Sequence, residues 1–277
     1  MKDSIQKTTP TNWFPWDYFI VTFGFTWLCW LPGVLETQGL LTLPLPWEVF
    51  FMLGIFGPLV GATWANVRRH GWAAAGKLLA RVTDVRIGAK WWLVILVVPL
   101  VISVLAYLGF GLLKGKVAES IASVNLWMIV PTIFLMTLIG GGQEEFGWRG
   151  YALDILQERW GAWGASIVLG CIWGLWHLPL FFVRYTGQYY MPMWAFMLTS
   201  PALSIVTTWV YNGTGKKLFA AWLLHGVING GLDVFPPIQK VAGADQGALL
   251  LICGLYWVLA LLVMALSGNR HPAKVKA

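Results

Sequence analysis

Three short stretches carry most of the reactive side chains of an otherwise apolar chain. In "GGGQEEFGWRG", residues 140–150, two adjacent carboxylates and a guanidinium (Glu144, Glu145, Arg149) follow directly on the run "LWMIVPTIFLMTLI". In "WGLWHLP", His177 stands four residues after Trp173, and in "HGVIN", His225 and Asn229 stand four apart. Residues four apart share a helix face, so Glu145 and Arg149 are expected to pair, leaving Glu144, about 100° around the helix, free to point elsewhere. A free carboxylate, two imidazoles and an amide suffice to hydrolyse a peptide bond. Carboxylate or imidazole takes a proton from water, and imidazole and amide N–H groups stabilise the oxyanion. Glu144, His177 and His225 equally supply the three ligands of an open zinc site, although no HExxH pattern is present. Taken singly, the same residues read as a solvated salt bridge, a packed histidine and interhelical glue. Either chemistry requires them to converge.

The solvent around these groups follows from composition. The chain has 277 residues, 58% of them hydrophobic and 11% charged, with 19 Trp and a mean hydropathy of +0.67, whereas soluble domains carry about 25% charge. This is the composition of an integral, polytopic, all-α membrane protein. Runs of roughly 20 apolar residues mark about eight transmembrane helices around a polar cavity: 16–35, 46–67, 91–113, 121–142, 162–183, 191–212, 218–235 and 247–266. With the N-terminus inside, fifteen of the nineteen Lys and Arg, Arg149 among them, fall on cytoplasmic segments, and Lys114, Lys116, Arg184 and Lys240 fall outside. The net charge of +7 is therefore topology, spread over separate loops, and not a nucleic-acid surface. Cys29, Cys171 and Cys253 lie in apolar runs without CxxC spacing and read as packing residues.

The expected organisation is a polar N-terminal arm (1–15), one membrane domain (16–266) and a basic tail (267–277) lying on an anionic leaflet. The first apolar run is too long for a secretory signal and stays as a span. The loop between Arg68 and Lys90 is expected to hold a short interfacial helix with Leu78, Leu79 and Val82 inward and Lys77 and Arg81 outward. Gly170 and Gly174 mark close helix packing. Trp13, Trp16, Trp91, Trp92 and Trp160 read as interfacial anchors, and Asp233, one turn beyond Asn229, can face the same cavity. No internal repeat is evident, which disfavours a transporter built of inverted halves.

The order EExxxR, aromatic-xxx-His, HxxxN, each motif on its own helix, resembles the CPBP family of intramembrane proteases, which comprises the CAAX prenyl endopeptidases and the bacteriocin-processing and immunity-type Abi proteins. The resemblance covers about residues 120 to 265, with one departure: the family usually has Phe where this chain has Trp173. It implies a conical helical cavity open to the cytosol, in which Glu144 and His177 activate water and His225 and Asn229 form the oxyanion hole. Glu145, Arg149 and Trp173 take orienting roles. It further implies a glutamate-type protease with no metal, zinc on Glu144, His177 and His225 remaining the alternative. The expected function is an intramembrane endopeptidase acting on membrane-associated peptides or lipidated proteins, the prenylated CAAX type included. A multi-pass protein of a bacterial inner membrane is expected, both termini cytoplasmic, with the lipid bilayer and a peptide substrate as partners and no nucleic acid. Oligomeric state stays open. A non-catalytic immunity or scaffold protein, and a solute or ion transporter, are the alternatives.

One geometric problem is visible in advance. If the fifth helix starts at Ala162, His177 lies 15 residues or roughly 22 Å along it, while Glu144 sits at the cytoplasmic edge. Either Gly140–Gly142 break the fourth helix so that the carboxylate turns back into the cavity, or the fifth helix begins after a deeper re-entrant segment.

Overall fold

Apolar faces turned outward are the first sign of how this chain folds. Leu93, Leu105 and Leu112 on one helix, Val130 and Phe134 on another and Leu266 on the last are all more than half exposed. In water such surfaces would drive association; in hydrocarbon they are what a helix must present, because lipid satisfies no backbone group and only closed hydrogen-bond ladders survive there. The computed structural model describes residues 14–237 and 244–267, and these form helices and connecting turns with no strand among them. The expected basic tail and most of the N-terminal arm, with Trp13, lie outside the described residues.

The long elements are α1 (Trp16–Thr37), α2 (Trp47–Gly54), α3 (Gly57–His70), α4 (Trp72–Ala80), α5 (Ala89–Leu113) and α6 (Val117–Ser123). They continue with α7 (Ile129–Ile139), the single turn α8 (Glu145–Gly147), α9 (Leu153–Trp176), α10 (Met193–Gly213), α11 (Leu218–Val234) and α12 (Gly247–Ser267). Among the described residues six stretches are long and apolar enough to cross a membrane, namely Trp16–Thr37, Trp47–His70, Ala89–Leu113, Leu126–Phe182, Met193–Gly213 and Gly247–Ser267, with Leu218–Val234 a shorter apolar helix. The all-α polytopic architecture is therefore as expected.

The stretch Leu126–Phe182, 57 residues long, differs from the two plain spans expected at 121–142 and 162–183. Its first helix, α7, has only 11 residues and stops at the glycine run. A 3₁₀ turn (Gly142–Glu144), α8, a π-helical turn (Trp148–Ala152) and α9 follow without a loop. Inside α9, Gly161 has φ 67° and ψ −178°, a conformation essentially confined to glycine. A straight helix would separate Glu144 from Trp173 by roughly 44 Å. Instead the Trp173 indole lies 2.7 Å from the Glu144 carboxylate, and the rings of Trp148 and Trp176 are 5.9 Å apart. The chain thus reverses at Gly161, and 145–160 and 162–176 form the arms of a helical hairpin. By length and composition the described residues hold six spanning stretches and one shorter apolar helix, where about eight spans were expected.

Two buried clusters organise the packing. One joins α1, α2, α3 and α4 to the hairpin through Tyr18, Trp30, Trp148, Leu156 and Trp176; the other joins α5, α10, α11 and α12 through Ile95, Ile205, Val227 and Tyr256. The hairpin's second arm rests on α10, where a β-carbon on Gly170 would come within 2.9 Å of Ser204, the close approach expected of the Gly170/Gly174 pair.

One end of the bundle gathers basic residues with their partners. Arg69 meets Asp17 at 2.5 Å, Lys216 meets Asp154 at 2.9 Å, and Lys217 and Arg86 both pair with Asp84. The helix expected near Leu78 is present as α4, with Leu78 buried and Lys77 exposed. Two of its assignments need correction. Leu79 is 44% exposed, and Arg81 turns inward, donating to the Gly150 carbonyl at 2.7 Å and the Tyr211 hydroxyl at 2.5 Å. Trp91 is not an interfacial anchor but is buried against Trp209, and Cys171 is exposed rather than packed.

Candidate active site

The turn after α7 is built from residues that permit backbone contact. Gly141 takes φ 137°, which a side chain would strain, and a β-carbon there would lie 2.6 Å from His225 Nε2. The glycine therefore lets α11 approach the turn closely. Two amides hold it: Gln143 Oε1 accepts the Gly141 N–H at 3.0 Å, and Asn229 Nδ2 donates to the Gly140 carbonyl at 2.7 Å. Asn229 so spends one of its two N–H bonds on the turn and keeps the other.

The two adjacent carboxylates then diverge. Glu145 points into the protein, where its Oε1 accepts from Arg149 at 3.0 Å and from His225 Nδ1 at 2.8 Å; Glu145 and Arg149 are each 1% exposed. The Arg149 guanidinium also donates to the carbonyl and hydroxyl of Ser204 on α10. The expected ion pair is present, but Arg149, which by sequence reads as a cytoplasmic charge, is among the most buried large side chains of the protein. Glu144 points the other way. Its Oε2 accepts two indole N–H bonds, from Trp173 at 2.7 Å and Trp148 at 3.0 Å.

His177 caps the hairpin's second arm inside an aromatic box of Trp30, Trp173, Trp176 and Phe196. Its Nδ1 lies 2.9 Å from the Trp173 carbonyl. A carbonyl only accepts, so Nδ1 carries the proton and Nε2 is left with its lone pair. Trp173 separates the two histidines, its ring 5.7 Å from His177 and 5.3 Å from His225.

Glu144, Trp173, His177, His225, Asn229 and Asp233 all line one cavity of about 330 Å³. A second cavity, of about 290 Å³ with mostly apolar walls from α1, α2 and α7, meets it at Glu144, His177 and Asn229. Five of the seven site residues expected from sequence thus face common space, while Glu145 and Arg149 stand behind them. The depth problem disappears with the hairpin, whose arms of similar length bring residues 144 and 177 back together. Three participants were missed: Gln143, Trp148 and Ser204. Trp148 carried the same i,i+4 signal from Glu144 that revealed Arg149 from Glu145, but a tryptophan near a helix end reads first as an interfacial anchor.

The donor set bears on the zinc alternative. Among the described residues no three His, Cys, Asp or Glu side chains are grouped so as to hold a metal ion. The nearest imidazole hydrogen bond to a carboxylate, His225 to Glu145, joins a different glutamate from the one in the cavity.

Outside the spans, the surface pairs shift ionisation in the usual way. Arg86 and then Lys217 hold the Asp84 carboxyl well below the ordinary carboxylate range, and Lys114 and the Gly247 N–H lower that of Asp245.

Residues 125–231, the span of all three motifs, match the family described as Type II CAAX prenyl endopeptidase Rce1-like. Over 252 residues the chain is 29% identical to CAAX prenyl protease 2 of Methanococcus maripaludis, covering 85% of this chain and 90% of that protein. A 134-residue part, 48% of this chain and 35% of the relative, is 23% identical to Lysostaphin resistance protein A of Staphylococcus haemolyticus. Residues 125–231 of the chain are thus similar to the Rce1-like Type II CAAX prenyl endopeptidases, and all three sequence motifs lie within that match.

Proposed function

We propose that this protein is an intramembrane endopeptidase that cleaves peptide bonds of membrane-associated substrates, prenylated CAAX-type peptides being the first to test. The observation that carries the reading is the convergence of Glu144, His177, His225 and Asn229, from three separate elements, on one cavity. Glu144 takes a proton from a water molecule whose second O–H the Nε2 lone pair of His177 accepts; the resulting hydroxide adds to the substrate carbonyl carbon. His225, doubly protonated so that Nδ1–H is held by Glu145 and Nε2–H is presented to the cavity, and the remaining N–H of Asn229 face the oxygen on which negative charge develops. The proton then passes to the leaving amine as the C–N bond breaks. Site and basic end are assigned to the cytosolic side, the excess of Lys and Arg being the support. The peptide selected, and the lipid it carries, follow from the relative's name alone.

Purified protein in lipid, offered fluorogenic peptides with and without a prenyl group, is expected to cut at least one of them. Exhaustive chelation is expected to leave that activity in place. Failure to cut any peptide would favour a peptide-binding scaffold, and loss of one zinc equivalent together with activity would move Glu144, His177 and His225 to metal-ligand roles.

A further inference from the structure

Trp148 is 0% exposed and lines neither cavity at the site, yet its indole N–H is spent on the proposed base. It lies one helical turn after Glu144 and donates to Oε2 at 3.0 Å, while Trp173 donates to the same oxygen at 2.7 Å from the opposite arm of the hairpin. Indole N–H groups are donors without acceptor capacity. An oxygen that already accepts two of them is poorly placed to carry a proton of its own, whereas Oε1 has no such partner. The surrounding charged and polar groups do not orient Glu144 in their place, because Glu145 is held by Arg149 and His225, and His177 is tied to the Trp173 carbonyl.

We infer that Trp148 and Trp173 form a two-indole clamp that fixes Glu144 by Oε2, so that the proton taken from water lands on Oε1. Both tryptophans are positioning residues, and the inference rests on Glu144 being the base. It gives a role to the side chain by which this sequence departs from the expected motif, since phenylalanine at 173 would fill the space without a donor. It also gives one to Trp148, which no motif singled out. The two donors come from the two arms of the hairpin, so the clamp ties the orientation of Glu144 to closure of the arms around Gly161. During the reaction the clamp contributes no atom: water loses its proton to Oε1, the hydroxide bonds to the carbonyl carbon, and Oε1 returns the proton to the departing nitrogen.

The test is a double-mutant cycle on peptide cleavage by the full-length protein in lipid. Trp148→Phe keeps an aromatic ring in place and removes the N–H side of the indole, and it touches no substrate. The expected result is a fall of about tenfold in kcat with KM unchanged, the size of one hydrogen bond to a charged group. Added to Glu144→Gln, the same change should lower the residual rate less than about twofold, because the base whose geometry it served is already gone. A role in general packing would depress both backgrounds alike and would overturn the inference, as would a Trp148→Phe protein with wild-type kcat. Should Trp148→Phe fail to fold, Trp173→Phe in the same cycle decides on the same criteria, read on kcat. A Glu144→Gln protein that cleaves at the wild-type rate would instead remove Glu144 as the base, which separates the failure of the proposed mechanism from failure of the clamp.

Discussion

Glu144 and Glu145 are neighbours in sequence but live in two different solvents. Glu145 sits in a buried ionic region with Arg149, His225 and Ser204, where its Oε1 accepts from both the guanidinium and the imidazole, while its Oε2 and the Arg149 Nε have no hydrogen-bond partner among the described residues. Glu144 lines the cavity, and its donors are neutral indoles that both bind Oε2. The first arrangement lowers the energy of a buried ion; the second holds a carboxylate in place without neutralising it. A protein needing only stability would have no reason for the second, because an uncompensated carboxylate in low dielectric is costly. On the proposed mechanism the difference gives one glutamate to chemistry and the other to architecture.

The largest test of that division is Glu144→Gln, which keeps shape but removes the proton acceptor. Peptide cleavage should fall at least about 100-fold, the lower range for loss of a general base, while thermal stability in detergent stays level or rises. Glu145→Gln should show the reverse order of damage. It strands Arg149 in the interior, and breaking a buried pair from one side costs about 3 kcal/mol or more, so the melting temperature should drop first, with activity following through His225. If Glu144→Gln is the variant that unfolds and Glu145→Gln the one that folds but cannot cut, the comparison is inverted.

Next in size is Gly161→Ala. An L-residue in that backbone region costs on the order of 1–3 kcal/mol, and since Gly161 closes the hairpin that brings Glu144 to Trp173, activity should fall more than stability measured by heat. A variant as active as wild type would detach the cavity side from the hairpin geometry.

The smallest effect should come from Asp84→Asn at the exposed basic end. Arg86 and Lys217 lower the Asp84 carboxyl below its unfolded value of about 3.9, so the pair's contribution is present above that value and disappears as pH falls through the folded one. Wild type should lose a little stability below pH ~4 by this route and the variant should lack that step; at neutral pH the two should melt within a degree or so of each other, as exposed pairs contribute little. A large neutral-pH loss would mean that charge at this end does what Glu145 does inside.

How much of this was legible beforehand depended on which physical signal a residue sends. Spacing revealed the Glu145–Arg149 pair, and the apolar runs gave the passes to within a few residues, because both are one-dimensional periodicities. The hairpin at Gly161 was invisible: a glycine between Trp160 and Ala162 looks like any loop start, and only a contact across 29 residues, Glu144 to Trp173, exposes the reversal. Arg149 was legible as the partner of Glu145 but not in its burial: a cation beside a glycine-rich turn reads as a loop charge, and only Ser204, reaching it from another helix, shows that it lies inside. Among the tryptophans, Trp173 stood out through its place in the second motif, whereas Trp148 and Trp176 sent no signal that separates an N–H or a ring edge inside the bundle from an interfacial anchor.

The one-turn spacing of Glu145 and Arg149 also bears on how the chain enters the membrane. Partners four residues apart can meet within a nascent helix, so the pair can be delivered to the translocation machinery as a net-neutral unit beside Glu144, at lower insertion cost than two separate ions. His225, 80 residues further along, emerges from the ribosome later and can join Glu145 only after its own helix has been made. Biogenesis therefore proceeds from a locally neutral pair to a three-membered cluster, and the helix carrying His225 and Asn229 is the last part of the proposed site to be put in place.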